Sequence, residues 1–416
     1  MLMDNQRVMP DAALQLIGRL KQGRNIIFGA NLFSVGRQEL LSGAEQVFKD
    51  VERTGDSVVR FIRGDYGVGK TNFCARLFLL GLSRGWVSVY LELSEQVKLY
   101  EFHQVFSEIV KKIYVPEQVS DHSMAAVPPL GLVGVLDQQY QKVRRAVGLG
   151  PGQDISASAR SDLVSRISSV LQRERVYGDF AAAVRCYFEA RVDDDTTTVR
   201  LLQRWFAAEP DIRIPSRGIM RPITKIYGKE YLRAVSCLLT GIGYRGLLVI
   251  IDELEGIMGE SRTRRRKAYT ILRELLDNVD GENGMRKTCL YAAAPPGQFE
   301  AQKGFIEVEP LASRIQSPLI AIDGPPDWTA TIVDLDHAPL DRQQQVDLAR
   351  RLRDLHGIAR SWEASRFIPD SKIVQLVNDI HKERPFSNLR VREFCIEMVS
   401  ALERTHSSAA KGEEPQ

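Results

Sequence analysis

The sequence predicts an α/β fold in three layers, a parallel sheet with helices on both faces, interrupted by a helical insertion and closed by a C-terminal helical unit. Three observations carry this. An apolar run, Val58-Val59-Arg60-Phe61-Ile62-Arg63, enters the glycine-rich stretch Gly64-Asp65-Tyr66-Gly67-Val68-Gly69-Lys70-Thr71, and a helical pattern with Phe73, Leu77 and Leu80 follows. Strand and helix signals then alternate: Val87-Ser88-Val89-Tyr90-Leu91 reads as a strand and 100–114 as a helix. Far downstream, five aliphatics, Leu247-Leu248-Val249-Ile250-Ile251, end in Asp252 and Glu253. Such a run marks a strand buried on both faces, and its C-terminal end is where open α/β sheets hold ligands.

The glycine-rich stretch has the spacing Gly-x-x-x-x-Gly-Lys-Thr of a phosphate loop. Gly64, Gly67 and Gly69 let the backbone turn tightly and point successive N–H groups at a phosphate chain, and the helix starting at Lys70 adds the positive end of its dipole. Lys70 would reach the β- and γ-phosphates, and the Thr71 hydroxyl would ligate Mg²⁺. The pattern alone arises by chance in about one or two chains per hundred of this length. The acidic strand end decides the matter, because Asp252 supplies a carboxylate for the Mg²⁺ shell and Glu253 one to polarise an attacking water. Two separate motifs thus predict one ATP·Mg²⁺ site.

Length and composition set outer bounds. With 416 residues the chain holds two or three domains, and 44% hydrophobic with 26% charged residues is ordinary for a soluble protein. A net charge of +3 argues for no nucleic-acid partner by itself. Cys74, Cys186, Cys237, Cys289 and Cys395 are widely spaced and odd in number, which fits reduced thiols and excludes a disulfide framework or zinc site. The start has no secretory apolar region and no run is long enough to span a bilayer, so a cytoplasmic protein is expected.

In order, residues 1–56 read as an N-terminal segment with a helix at 10–22, then Phe33-Ser34-Val35-Gly36-Arg37 and a second helix to about Arg53. This segment either packs beside the adenine or merely covers a sheet edge. Residues 57–114 form the first part of the core and 115–244 a mostly helical insertion, whose opening, 115–155, is loop by its Pro and Gly content. Within the insertion, Asp193-Asp194-Asp195 precedes a helix from Thr196 and reads as capping rather than as a calcium loop. The core resumes over 245–328, with strands at 287–293 and 317–322. Residues 329–405 form a helical lid and 406–416 a disordered tail. Arg262-Thr263-Arg264-Arg265-Arg266-Lys267 opens a helix running to about Val279. Two readings stand: contact with double-stranded DNA phosphates or a neighbour's nucleotide, or a solvated charged face.

The order of Phe33-Ser34-Val35-Gly36-Arg37, the phosphate loop with Asn72-Phe73, Leu91-Glu92-Leu93-Ser94 and Val249-Ile250-Ile251-Asp252-Glu253-Leu254-Glu255 resembles the AAA+ ATPases of the origin-recognition and Cdc6 group. More narrowly it is similar to the BREX phage-defence ATP-binding protein family, BrxD-like, including an Arg265-x-x-x-Tyr269 spacing. The resemblance implies a P-loop NTPase sheet in the order five-one-four-three-two. It assigns nucleotide binding to Gly64, Asp65, Tyr66, Gly67, Val68, Gly69, Lys70, Thr71 and Asn72. Asp252 with Thr71 takes the metal, and Lys70 and Glu253 take catalysis. It also places Arg314 where an arginine acting on a neighbouring subunit could sit, and Arg390 as the lid's sensor. One departure is that the strand at 287–293 runs into Ala292-Ala293-Ala294-Pro295-Pro296, where the family pattern has a polar sensor of the γ-phosphate. The expected function is ATP binding with slow hydrolysis in phage defence, alongside other defence proteins and in a possible homo-oligomer. The alternatives are a switch that scarcely hydrolyses and a DNA-remodelling ATPase.

Overall fold

The computed structural model describes residues 8–118, 127–149, 155–224, 228–277, 284–315, 327, 329–383 and 390–411. Its centre is a six-stranded sheet built from β1 (Val58–Arg63), β2 (Val87–Glu92), β3 (Ile113–Tyr114), β4 (Leu247–Asp252), β5 (Thr288–Ala294) and β6 (Ile332–Asp334). The spatial order is β3-β2-β4-β5-β1-β6. All neighbours run parallel except β2 and β3. The aliphatic and aromatic runs are buried from both sides, and every residue of β4 and β5 is buried, as a parallel sheet covered by two helical layers requires.

The expected order holds for β1, β5, β4 and β2. The edge beside β1, however, is taken by Ile332–Asp334, paired with Phe61–Arg63. The strand expected at 317–322 lies outside the described residues. At the opposite edge the expected helix over 100–114 stops at Lys111, and Ile113 and Tyr114 turn back to pair antiparallel with Val89 and Ser88. Packing overrides the helical pattern here: Ile113 is fully buried, and the Tyr114 ring meets Phe28 and Phe78 at 5.4 and 5.2 Å.

One face of the sheet, through Phe61, Val89, Val249 and Leu290, packs on helices 102–111, 228–241 and 262–277. The other face, through Ile62, Ile250 and Tyr291, packs on helices 38–54 and 70–83. Between β3 and β4 the chain forms helices 131–146, 157–173, 178–192, 196–206 and 228–241. Helix 131–146 corrects the expectation of a loop over 115–155. Its Leu132, Val135, Leu136, Tyr140 and Val143 recur at helical spacing and are all buried, so the glycines and prolines flank an element rather than dissolve it. Asp195 caps helix 196–206 by accepting the Thr198 N–H at 3.0 Å, as its position suggested.

A third core joins helix 10–21 to helices 342–360, 370–383 and 391–410 through Leu16, Ile17, Leu352, Val377, Met398 and Leu402. The last helix runs to Ala410 rather than giving way to a tail at 406. His406 on its final turns rests against the Trp362 ring, with centroids 4.9 Å apart. The five cysteines are all free and buried.

Strand β4 starts at a point of close approach. A Cβ on Gly246 would meet the Lys287 carbonyl oxygen at 2.6 Å and the Trp86 ring at 2.5 Å. Gly246→Ala should therefore destabilise the fold by about 1–3 kcal/mol, as overpacking does. A denaturant midpoint equal to that of the wild type would refute this.

Candidate functional site

β1 delivers the chain into the glycine-rich loop at the C-terminal edge of the sheet. Gly67 and Gly69 hold φ of +80° and +100°, the left-handed region that other residues avoid. Gly64 serves a different need, since a Cβ there would strike Val68 at 2.7 Å. Gly69 leads into helix 70–83, whose N-terminus has no side-chain cap. Its first N–H groups are thereby directed at the loop's concave side, the arrangement that takes anions. Lys70 is 8% exposed, and its Nζ donates to the carbonyls of Gly64 at 2.8 Å and Asp65 at 3.3 Å, below the exposed Tyr66 ring.

Two of the sequence-selected groups meet directly. The Thr71 hydroxyl donates to Asp252 Oδ2 at 2.9 Å, joining residues 181 apart in sequence. The Tyr90 hydroxyl donates to the same oxygen at 2.6 Å, and Oδ1 accepts the Glu253 N–H at 2.9 Å. Asp252, 2% exposed, is thus fixed in rotamer and surrounded by donors, the condition under which a buried carboxylate is tolerated. Burial beside this carboxylate pushes the Tyr90 phenol far up, so it stays a donor.

Glu253 has a left-handed backbone, φ +64° and ψ +41°, at the turn that ends β4. Its carboxyl is pushed up to about 7, first by desolvation and then by the negative charges of Glu255, Asp252 and Glu92. A half-buried carboxyl poised near neutrality suits a proton acceptor.

Residues 66–72, Asp252 and Glu253 line a cavity of about 340 Å³. One end is polar, with residues 67–72, Asp252 and Glu253; the other is apolar, with Leu20, Ile26, Phe33, Leu348 and Val391. Phe33, Ser34 and Val35 are on its wall, and Ser34 and Asn72 exchange hydrogen bonds at 2.8 and 3.0 Å. Residues of this N-terminal segment therefore border the cavity. Thr71 and Asp252 present hard oxygen donors next to the loop, which fits Mg²⁺ held jointly with phosphates. Among the described residues no group of three or more His, Cys, Asp or Glu side chains could hold a metal by itself.

Arg390 reaches the loop from the start of helix 391–410: its Nη2 is 3.5 Å from Asp65 Oδ2, and the Arg392 N–H donates to the Gly67 carbonyl at 3.3 Å. Arg314 does not join the cavity; it lies half-exposed on helix 309–315, paired with Asp277. In the cationic run, Arg265 is buried against Glu307. Arg262 faces Glu307, Arg264 faces Glu260 and Lys267 faces Glu101, at 3.5–3.6 Å. Four of its five cations therefore already have an acidic neighbour. Ala292, Ala293 and Ala294 are fully buried within β5. The next polar side chain, Gln298, is buried too and donates to the Tyr269 hydroxyl at 2.8 Å.

Sequence reasoning passed over Tyr90 and left Arg37 without a role. Tyr90 carried a signal, a polar-tipped residue between the apolar Val89 and Leu91 near the C-terminal end of β2. Arg37 donates from Nη2 to the Val68 carbonyl at 2.9 Å and from Nε to the Ala338 carbonyl at 3.0 Å, a pairing that no spacing reveals. No described helix is long and apolar enough to cross a membrane.

Residues 8–413 match the family model described as BREX system ATP-binding protein BrxC/D. No curated protein matches the chain.

Because burial disfavours ionised Glu253 in the folded protein, stability present below the ordinary carboxylate range is lost as pH rises through about 7. In chelator-containing buffer, Glu253→Gln should melt at a higher temperature than wild type at pH 8 and at the same temperature at pH 5. Equal melting at pH 8 would contradict the raised value.

Proposed function

Since the chain belongs to the BREX system ATP-binding protein BrxC/D family, we propose that ATP occupies the cavity between the glycine-rich loop and the C-terminal helices and is hydrolysed slowly. The observation that carries this reading is the Thr71–Asp252 hydrogen bond, which brings the two motifs into one oxygen-rich corner. The loop amides and Lys70 bind the phosphates. Thr71 and Asp252 hold Mg²⁺, which when bound neutralises charge on the transferred phosphoryl group. Glu253 orients a water and accepts its proton, and the apolar end of the cavity takes the base.

The strand order supports an AAA+ affiliation, with helices 342–360 and 391–410 as the lid and Arg390 as its sensor. Arg314, being half-exposed and away from its own cavity, would act on the site of a neighbouring copy. Such arginines can be worth about three to five orders of magnitude in rate, so an isolated chain turns over slowly. Other BREX proteins are the expected partners, and the cytoplasm, which holds the ATP, the expected location.

A second reading has its own observation. The buried alanines at the end of β5 offer no polar group to a γ-phosphate, which favours a switch that binds ATP and scarcely hydrolyses it. The DNA-remodelling reading loses ground, because its cations are largely paired within the chain.

Calorimetric titration with ATP and Mg²⁺, beside a phosphate-release assay, tests the first two. Lys70→Ala should weaken ATP by about ten- to a hundredfold, the worth of a charge-assisted hydrogen bond. Glu253→Gln should keep binding and lose turnover. Unchanged affinity in Lys70→Ala rejects the site, whereas tight binding by wild type with no phosphate released selects the switch.

A further inference from the structure

Arg37 stands in the structure at several costs. Its backbone is left-handed, φ +57° and ψ +28°, although the residue is not glycine. Its side chain is 8% exposed, and burial pulls the guanidinium down to about 10, with Arg76 adding like-charge repulsion. Arg76 is 9% exposed and likewise lowered to about 10 by burial and then by Arg351. Among the described residues neither Arg37 nor Arg76 has a carboxylate within ion-pairing distance; Asp336 attracts Arg37 only from farther away. Buried cations without a counter-anion are expensive, and carbonyl hydrogen bonds offset only part of that.

The orientation of the guanidinium shows where the missing charge belongs. Nε and Nη2 are used on Ala338 and Val68. Among the described residues Nη1 donates to none, and it lies 3.2 Å from the position a Cβ would take on Gly69. Arg37 and Arg76 both line the cavity, on the same side as the glycine-rich loop. A planar fork with two arms fixed on carbonyls leaves its third edge directed and rigid.

We propose that Arg37 is a phosphate-binding residue of this site, its free guanidinium edge contacting the phosphates of a nucleoside di- or triphosphate. The proposal rests on the nucleotide reading above. Arg37 ties the loop at Val68 to Ala338, in the segment whose Leu335 N–H donates to the Arg63 carbonyl at 2.8 Å and whose far end opens helix 342–360.

The test titrates full-length wild type, Arg37→Met and Arg37→Lys with ADP and ATP, each with Mg²⁺, over a series of NaCl concentrations. Melting without nucleotide checks that each variant folds, and Arg37→Gln, neutral but still able to donate to a carbonyl, replaces Arg37→Met should that one not fold. Arg37→Met should weaken ADP and ATP alike by about tenfold or more, the worth of a hydrogen bond to a charged group. Its plot of log Kd against log salt should also be shallower, one counter-charge having been removed. Arg37→Lys should keep the salt slope and lose less affinity. Wild-type affinity and salt slope in the neutral variant would overturn the proposal and leave Arg37 a brace between carbonyls. If wild type itself binds neither nucleotide, the nucleotide reading fails first, a result distinct from this one.

Discussion

Thr71 meets Asp252 across 181 residues of sequence, although their strands are not neighbours: β5 stands between β1 and β4. The contact exists because helix 70–83 leaves β1 and crosses behind the sheet before the chain returns in β2, the right-handed crossover that parallel strands impose. Gly81 permits the crossing to be close, since a Cβ there would strike Leu248 at 2.7 Å and Ser88 at 2.6 Å. The first turn of that helix therefore lies over the end of β4. Everything at the polar end of the cavity, including the Tyr90 bond and the turn at Glu253, is arranged around the carboxylate so placed.

Polar groups concentrated at one edge of the sheet carry a cost, and the structure shows where it falls. Glu253 and Arg37 both adopt left-handed backbone. The carboxyl is pushed up by burial and then by its acidic neighbours, and the guanidinium is pulled down by burial. These are violations of local preference, and both residues line one cavity. Proteins keep such features where a ligand or a reaction compensates them. Left-handed backbone also occurs away from the cavity, at Arg175, Asp194, Ala208, Asp211, Lys287 and Ser361, so what marks Glu253 and Arg37 is the coincidence of such backbone with a shifted charge at the cavity wall.

The apolar end of the cavity has a different origin. Helix 10–21, from the beginning of the chain, packs with helices 342–360 and 391–410 from its end. The apolar lining of the cavity is consequently made by residues as distant as Leu20 and Val391. The same helices reach the loop through Arg390 and Arg392 at Asp65 and Gly67, and through Ala338 by way of Arg37. The loop is held by contacts from the C-terminal helical unit and from the segment leading into it.

The phosphate loop, the acidic strand and the alternation between them were legible in the sequence because each depends on residues adjacent in the chain. Glycine tolerates positive φ at Gly67 and Gly69, aliphatic runs bury as strands, and Asp252 and Glu253 follow β4 directly. Four strands were accessible on those grounds, and their order through the family resemblance. Helix 131–146 was legible in principle, through its buried face, but was obscured by flanking Pro and Gly. Tertiary structure alone decided that Ile113 and Tyr114 pair as an edge strand, that Ile332–Asp334 flanks β1, and that the first and last helices share a core. It also decided that Arg37 turns inward to the loop while Arg265 is spent on Glu307. Side-chain direction and long-range pairing depend on which surfaces the fold brings within a few ångströms, and no local spacing encodes that distance.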